Sequence, residues 1–349
     1  MENDELIYTV IKTAVTKGIK YIEDNPKRGV RNLVDVGEYF ATGRFQKDFF
    51  DIANDILNNK DSSYYQIIDN AVKKINHEIL ISFGINLGYN SWTRGANIVR
   101  QHEMNCGYNI PWTVIFNFEK IHKKQLSGDE IGNLILSGKN AGIYCYMFMV
   151  DKNDATLENV DSAITDHPDC AFILFINTDI LTSKMIENMK LRNNIFISLL
   201  VDDLTTEDSI KEIAKKTELL ARNKCLFGVY KYYDDYYASK VLNGQFAHDV
   251  AKLGCSFAFL IKKEDCSEQN SHLVSEHVKN ARMKNNSPVF IMDFYEDIAN
   301  IDRNISSGSC FLSIDSIGQV TVSTLFNEKT PYNIRTHVFE QILENLTIL

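Results

Sequence analysis

Nine polar residues each fall at or just after the end of an apolar run: Asn117, Asp151, Asn177, Asp202, Asp203, Tyr232, Lys262, Asp293 and Tyr295. Carboxylates gathered in one place can serve as general bases, and a lysine among them can stabilise developing negative charge. If the apolar runs are parallel strands, their C-terminal ends open on one mouth, the face at which such barrels hold ligands and catalytic groups. Asp151, Asn177, Asp203, Lys262 and Asp293 are therefore the residues expected to meet a ligand or partner. A local reading competes, because Asp and Asn also make turns and cap helices.

Other candidates carry less chemistry. The run "KYYDDYY", Lys231 to Tyr237, could line a pocket for an aromatic or cationic ligand, or could begin an amphipathic helix whose tyrosines cover the rim. His272 and His277 are five apart on an expected helix and so do not share a face for a metal. Cys106, Cys145, Cys170, Cys225, Cys255, Cys266 and Cys310 mostly adjoin apolar runs, as small buried hydrophobes do. The sequence has no G-x-G-x-x-G, P-loop, G-x-S-x-G, H-E-x-x-H or C-x-x-C motif.

The elements that must position these residues follow from periodicity. Up to about residue 106 apolar residues recur at helical spacing, as in Leu6, Val10, Ile11 and Val15. Asp61 is an expected N-cap, and Pro26 ends or opens a helix. From Asn109 short runs rich in β-branched and aromatic residues alternate with helical stretches: "NIPWTVIFNF", "GIYCYMFMV", "CAFILFIN", "IFISLLVDD", "LFGVYKYY", "CSFAFLIKK" and "PVFIMDFY". That alternation predicts a parallel sheet buried on both faces. Right-handed crossovers then make it a barrel or a doubly wound sheet. Ser127 with Glu130 has the spacing of a capping box, and Thr205 with Asp208 is a weaker relative. After Gly308 the period becomes two around "DSIGQ", a β-hairpin, and "HVFEQILENL" closes the chain as a helix.

Composition bounds the partners. The 349 residues are 44% hydrophobic and 24% charged with a net charge of -9, which suits a globular chain and argues against nucleic acid or an anionic membrane as partner. The start "MENDELIYTV" does not read as a signal peptide, and the apolar runs are too short to span a bilayer. Seven cysteines without a close pair suit reduced thiols, and the expected location is the cytoplasm.

The segments "YNIPWTVIFNF", "SGDEIGNLILSGKNAGIYCYMFMV" and "CAFILFINTDILTSKMIENM" together resemble the core of radical S-adenosylmethionine enzymes, notably anaerobic bacterial members with a helical N-terminal segment. The tail "SSGSCFLSIDSIGQVTVSTLFNEKTPYNIR" is similar to their C-terminal extension. The resemblance implies a C-x-x-x-C-x-x-C loop after the first strand, holding a four-iron cluster. Here that loop reads "FEKIHKKQLS", without cysteine. It also implies a glycine-rich turn of the Gly-Gly-Glu-Pro kind after the second strand, where this chain reads "VDKND". The extension has "IDRNISSG" and "VTVSTL", with Ser323 near an expected thiol.

The expected architecture is thus a helical region over residues 1–106, a partial TIM-type, radical-SAM-like parallel β/α barrel over 107–300, and a hairpin plus helix over 301–349. The expected function is that of a pseudoenzyme with no cofactor and no metal, binding a peptide, a small metabolite or an active partner enzyme through the mouth. The alternative is an enzyme of another class that uses Asp151, Asp202, Asp203, Asp293 and Lys262 in acid–base chemistry.

Overall fold

The structure is a computed structural model. It describes residues 2–41, 43–119, 124–150, 154–202, 204, 206–284, 286–308, 310–322 and 329–346. The chain begins with helices α1 (Glu2–Asp24), α2 (Pro26–Tyr39), α3 (Arg44–Asn58), α4 (Ser63–Lys74) and α5 (His77–Ile85), then a π-helical stretch over Asn86–Gly95 and α6 (Ala96–Cys106). Pro26 opens α2, where its missing N–H costs nothing, and Asn25 caps it by accepting from the Arg28 N–H. The expected cap at Asp61 lies one residue off. Ser62 caps α4, accepting from the Tyr64 N–H, while the Asp61 N–H is spent on Asn59 Oδ1.

The barrel then alternates as expected: β1 (Thr113–Phe118), α7 (Gly128–Ala141), β2 (Cys145–Val150), α8 (Asp154–Asp166), β3 (Ala171–Ile176), α9 (Ser183–Met189), β4 (Ile195–Leu200), α10 (Glu207–Arg222), β5 (Phe227–Tyr233), α11 (Asp235–Leu242), α12 (Gln245–Lys252), β6 (Phe257–Lys262), α13 (Glu268–Lys284), β7 (Phe290–Asp293) and α14 (Phe294–Ile305). Strands β1 to β7 pair in sequence order, all parallel. Ser127 and Glu130 form the complete capping box at the start of α7. Thr205 lies outside the described residues, and Thr206 occupies the N-cap position of α10.

The C-terminal hairpin does more than extend the chain. Strands β8 (Ser313–Asp315) and β9 (Gln319–Thr321) turn at Gly318, whose φ of +86° suits a residue without Cβ. Strand β8 also pairs parallel to β1, so the hairpin and β10 (Lys329–Asn333) extend the barrel sheet at its first edge. Helix α15 (Phe339–Leu346) follows. Arg335, from the "YNIR" segment, forks onto Glu130 of α7 at 2.5 and 2.9 Å and donates to the carbonyls of Lys124 and Gln125.

The core has two shells, one on each face of the curled sheet. Phe116 and Phe148 stack at 4.6 Å on the helix side, where the Tyr146 hydroxyl reaches the carbonyls of Ile135 and Ile143 beside α7. On the concave side Phe175 of β3 meets Phe259 of β6 at 5.0 Å. Three strand steps in a flat sheet would separate them by about 14 Å, so the sheet curls into a partial barrel. The helical region docks against the other end. Asn86 donates to the carbonyls of Pro168 and Cys170, and Asn90 to that of Asp169, all in the loop leading into β3.

Candidate binding site at the barrel mouth

Side chains alternate along each strand, and the parallel register carries one parity around the whole sheet. Asn117 stands beside Met149, Met149 beside Phe175, Phe175 beside Ser198, and Ser198 beside Gly228. Two residues further on, Tyr230 stands beside Phe259 and Phe259 beside Met292, which completes the concave face. Lys231, Tyr233, Lys262 and Asp293 belong to the opposite parity.

At the mouth the concave face ends in an aromatic group around one carboxylate. Glu119 directly follows β1, and the Tyr232 hydroxyl at the end of β5 donates to its carboxylate across the opening. Tyr232 meets Tyr230 edge-on at 5.7 Å, and Tyr230 meets Phe175 at 5.3 Å. From the start of α14, Phe294 packs edge-on against Phe175 at 5.3 Å, while Tyr295 lies between Phe294 and Phe311. Tyr230 and Phe294 are buried, whereas Glu119, Tyr232, Tyr295 and Phe311 keep part of their surface exposed. Burial, reinforced by the Glu119 charge, raises the phenol pKa of both Tyr232 and Tyr295, so both stay neutral donors at physiological pH.

The five residues expected to meet a ligand are placed differently. Asn177 follows β3 on the concave parity and accepts from the Asp179 N–H at 3.2 Å, opening a short 3-10 turn. Asp151 and Asp203 lie outside the described residues. Lys262 turns to the helix layer and pairs with Glu268 of α13. Asp293 also faces that layer: it is buried, caps α14 by accepting from the Glu296 N–H, and accepts from the Ser275 hydroxyl of α13. Burial pushes its carboxyl up to about 6 against the hydrogen bond from Ser275.

The "KYYDDYY" run divides by parity. Lys231 on the helix side donates to the Asp202 carbonyl at 2.6 Å and lies over the Tyr237 ring, while Tyr232 enters the mouth. Asp234 caps α11, and Asp235 accepts from Ser267 and Asn270 at the start of α13. His272 pairs with Glu276 on its own helix. The residues that the strand-end reading did not single out are Glu119 and Tyr230. A carboxylate directly after an apolar strand and the alternate tyrosines of "YKYY" are the signals that point to them.

An iron–sulfur cluster of the kind the sequence resemblance implies needs thiolates converging on the loop after β1. Residues 119–126 contain no cysteine. Cys145 starts β2, Cys170 immediately precedes β3, and Cys225 and Cys255 precede β5 and β6, all at the end away from the mouth. Cys106 ends α6, and Cys310 lies beside Asp302 and Glu103. Cys266, after β6, is held against Asp235 on the helix side. Burial pushes the thiols of Cys145, Cys255 and Cys310 up to about 12, which favours thiols over thiolates. This donor set does not fit such a cluster.

Two cavities lie elsewhere. One of about 440 Å³ is lined by Ser63, Asn70, Lys74, Ser256 and Ser287 at the far end of the barrel, and one of about 420 Å³ lies between α1 and α2.

No family model matches the chain, and no curated protein matches it. Among solved structures it is similar to Streptococcus suis SuiB bound to S-adenosylmethionine, with a TM-score of 0.52 and 8% identity over 72% of this chain and 68% of that one. The likeness to SuiB bound to the precursor peptide SuiA gives a TM-score of 0.53 at 8% identity, over 72% and 69% of the two chains. At this identity the likeness concerns the fold. A mostly parallel, curled sheet, of ten strands among the described residues with the C-terminal hairpin included, preceded by helices and followed by a last helix, is a radical-SAM-like fold.

Proposed function

We propose that the chain is a radical-SAM-like pseudoenzyme: a binding protein that holds no iron–sulfur cluster and receives a peptide at the barrel mouth. The observation that carries this reading is the bond from Tyr232 to Glu119. The first position after β1, where the related loop would lead into thiolates, holds a carboxylate already tied across the opening. The peptide is favoured over a metabolite or a partner enzyme because SuiB, of similar fold, has been solved with a precursor peptide. Asn177 shares the concave face with Glu119, and Lys262 and Asp293 stand at the neighbouring strand ends. Asp151 and Asp203 are proposed as contacts from their sequence positions alone.

The test is anaerobic reconstitution with iron and sulfide, followed by assay of both elements, the visible spectrum and S-adenosylmethionine cleavage. The expected result is no stoichiometric cluster and no cleavage. A stable four-iron cluster with thiolate-to-iron absorption overturns the proposal. The acid–base enzyme reading has one observation in its favour, the Asp293 carboxyl pushed up to about 6 by burial. Its position on the helix-facing side, bonded to Ser275, suits a structural cap better.

A further inference from the structure

Helix α4 lies at the barrel end opposite the mouth, where its Tyr64 ring meets Phe290, the first residue of β7, edge-on at 6.0 Å. Tyr65 and Val72 of α4 pack into the helical region, and Ala71 and Ile75 into the barrel core. Between these two apolar faces runs a polar line, Ser63, Gln66, Asn70 and Lys74, whose three- and four-residue spacing keeps it on one side of the helix. With Ser256 before β6 and Ser287 before β7 it borders the cavity of about 440 Å³, a size that suits a small molecule. Ile67, Ala251 and Cys255 supply apolar wall.

The charge of this cavity is one-sided. Lys73 pairs with Asp69 at 2.7 Å, but Lys74 beside it has no carboxylate or hydrogen-bond partner among the described residues, and no carboxylate lines the cavity. The Lys74 ammonium is near enough to the Cys255 thiol to oppose the burial that pushes that thiol up to about 12. Gln66 donates to Asn70 Oδ1 at 3.1 Å, while the Asn70 amide N–H groups and the hydroxyls of Ser63 and Ser256 make no bond among the described residues. Gln66 and Lys74 are exposed, so the cavity opens to solvent on their side.

We propose that this cavity binds a small hydroxylated carboxylate of the sugar-acid class. Lys74 holds the carboxylate, and the serine hydroxyls and side-chain amides, which both donate and accept, pair with the hydroxyls of the ligand. One lysine balances one carboxylate, whereas a phosphate dianion would keep unmet charge because no second cation lines the cavity. Helical region and barrel both contribute to the lining, so a bound ligand ties the two together. The site lies at the end away from the mouth and does not depend on what the mouth receives.

The experiment is isothermal titration of the full chain at low ionic strength with gluconate, with its uncharged counterpart sorbitol, with acetate and with inorganic phosphate. Gluconate is expected to bind saturably and no more weakly than phosphate. Sorbitol and acetate, each lacking one half of the recognised chemistry, should bind about fivefold more weakly or worse. Lys74→Met, and Asn70→Asp, which sets a carboxylate beside Lys74, should each erase the preference for gluconate over sorbitol. Lys184→Met, which removes the same charge from an exposed position on α9, should keep it. Circular dichroism melts check that the variants are folded. Absence of gluconate binding, equal binding of gluconate and sorbitol or of gluconate and acetate, or tighter binding of phosphate overturns the assignment. So does a preference that survives in folded Lys74→Met or Asn70→Asp, or one that Lys184→Met also abolishes.

Discussion

Tyr232, at the end of the fifth strand, donates its hydroxyl to the carboxylate of Glu119, which directly follows the first. Four strand steps in a flat sheet would separate them by about 19 Å, so this single bond measures how far the sheet has curled. Both groups are partly exposed, and water can replace either partner. Tyr232→Phe is therefore expected to cost about 1 kcal/mol, and Tyr232→Ala more, since it also removes the ring against Tyr230. Chemical denaturation of both variants is the measurement, and equal costs would show that the ring contributes nothing.

The thiols provide a second test of placement. Cys106 is exposed, whereas Cys145, Cys170 and Cys255 are buried, with burial raising the pKa of each. A thiol-reactive aromatic disulfide at neutral pH should modify Cys106 first and reach those three only after unfolding. Mass mapping of the early adduct checks the order. Early labelling of Cys145 or Cys170 would contradict the buried N-terminal ends of β2 and β3.

Docking of the helical region depends on two glycines. A Cβ on Gly95 would stand 2.4 Å from the Gly142 carbonyl oxygen and 2.7 Å from that of Asn90, both backbone atoms that cannot swing away. Gly142 itself has a φ of +102°. Gly95→Ala should lower stability by about 1–3 kcal/mol. Gly84→Ala, where a Cβ meets nothing within 4 Å, is the control expected to be neutral or slightly stabilising. Urea denaturation of the pair decides the matter.

Stability should also depend on pH through Asp302. This carboxyl is 1% exposed, accepts from the N–H groups of Trp112 and Cys310, and is pushed up to about 7 by burial. Its unfolded value is near 3.9, so the unfolded chain releases the proton first as pH rises. The contribution is fully present below about pH 4 and is lost as pH rises through about 7, by on the order of 1–3 kcal/mol. Asp293, at about 6, acts in the same direction over a narrower window. Asp302→Asn should flatten the decline between pH 4 and 7 in denaturation measured at several pH values, leaving the part due to Asp293. An unchanged pH profile would show that Asp302 is ionised throughout.

At the other extreme, Glu130 is held down to about 2, first by Arg335, and its contribution is present above its unfolded value and lost as pH falls through about 2. Both side chains are about one-third exposed, so solvent screening limits the pair to about 1 kcal/mol. Arg335→Ala should accordingly move the melt little while raising amide exchange at Gln125 and Leu126, because the arginine also holds the carbonyls of Lys124 and Gln125. Unchanged exchange there would show that the C-terminal segment does not brace the loop.

Much of this was legible in the chain. Seven apolar runs separated by helical stretches mark strands β1 to β7, because strands buried on both faces need apolar residues at every position. Ser127 with Glu130, and Pro26 after Asn25, mark helix starts because capping is chemistry between near neighbours. The absence of cysteine from the loop after β1 is likewise a plain fact of sequence. Which strand-end residues meet one another was not legible. A sheet covered on both faces hides its own alternation, so nothing in "LFGVYKYY" or "CSFAFLIKK" marks which parity is concave. Only closure of the sheet sent Glu119 and Tyr232 into the opening and turned Lys262 and Asp293 toward α13. That choice depends on register across strands more than a hundred residues apart in the chain, which no local pattern encodes.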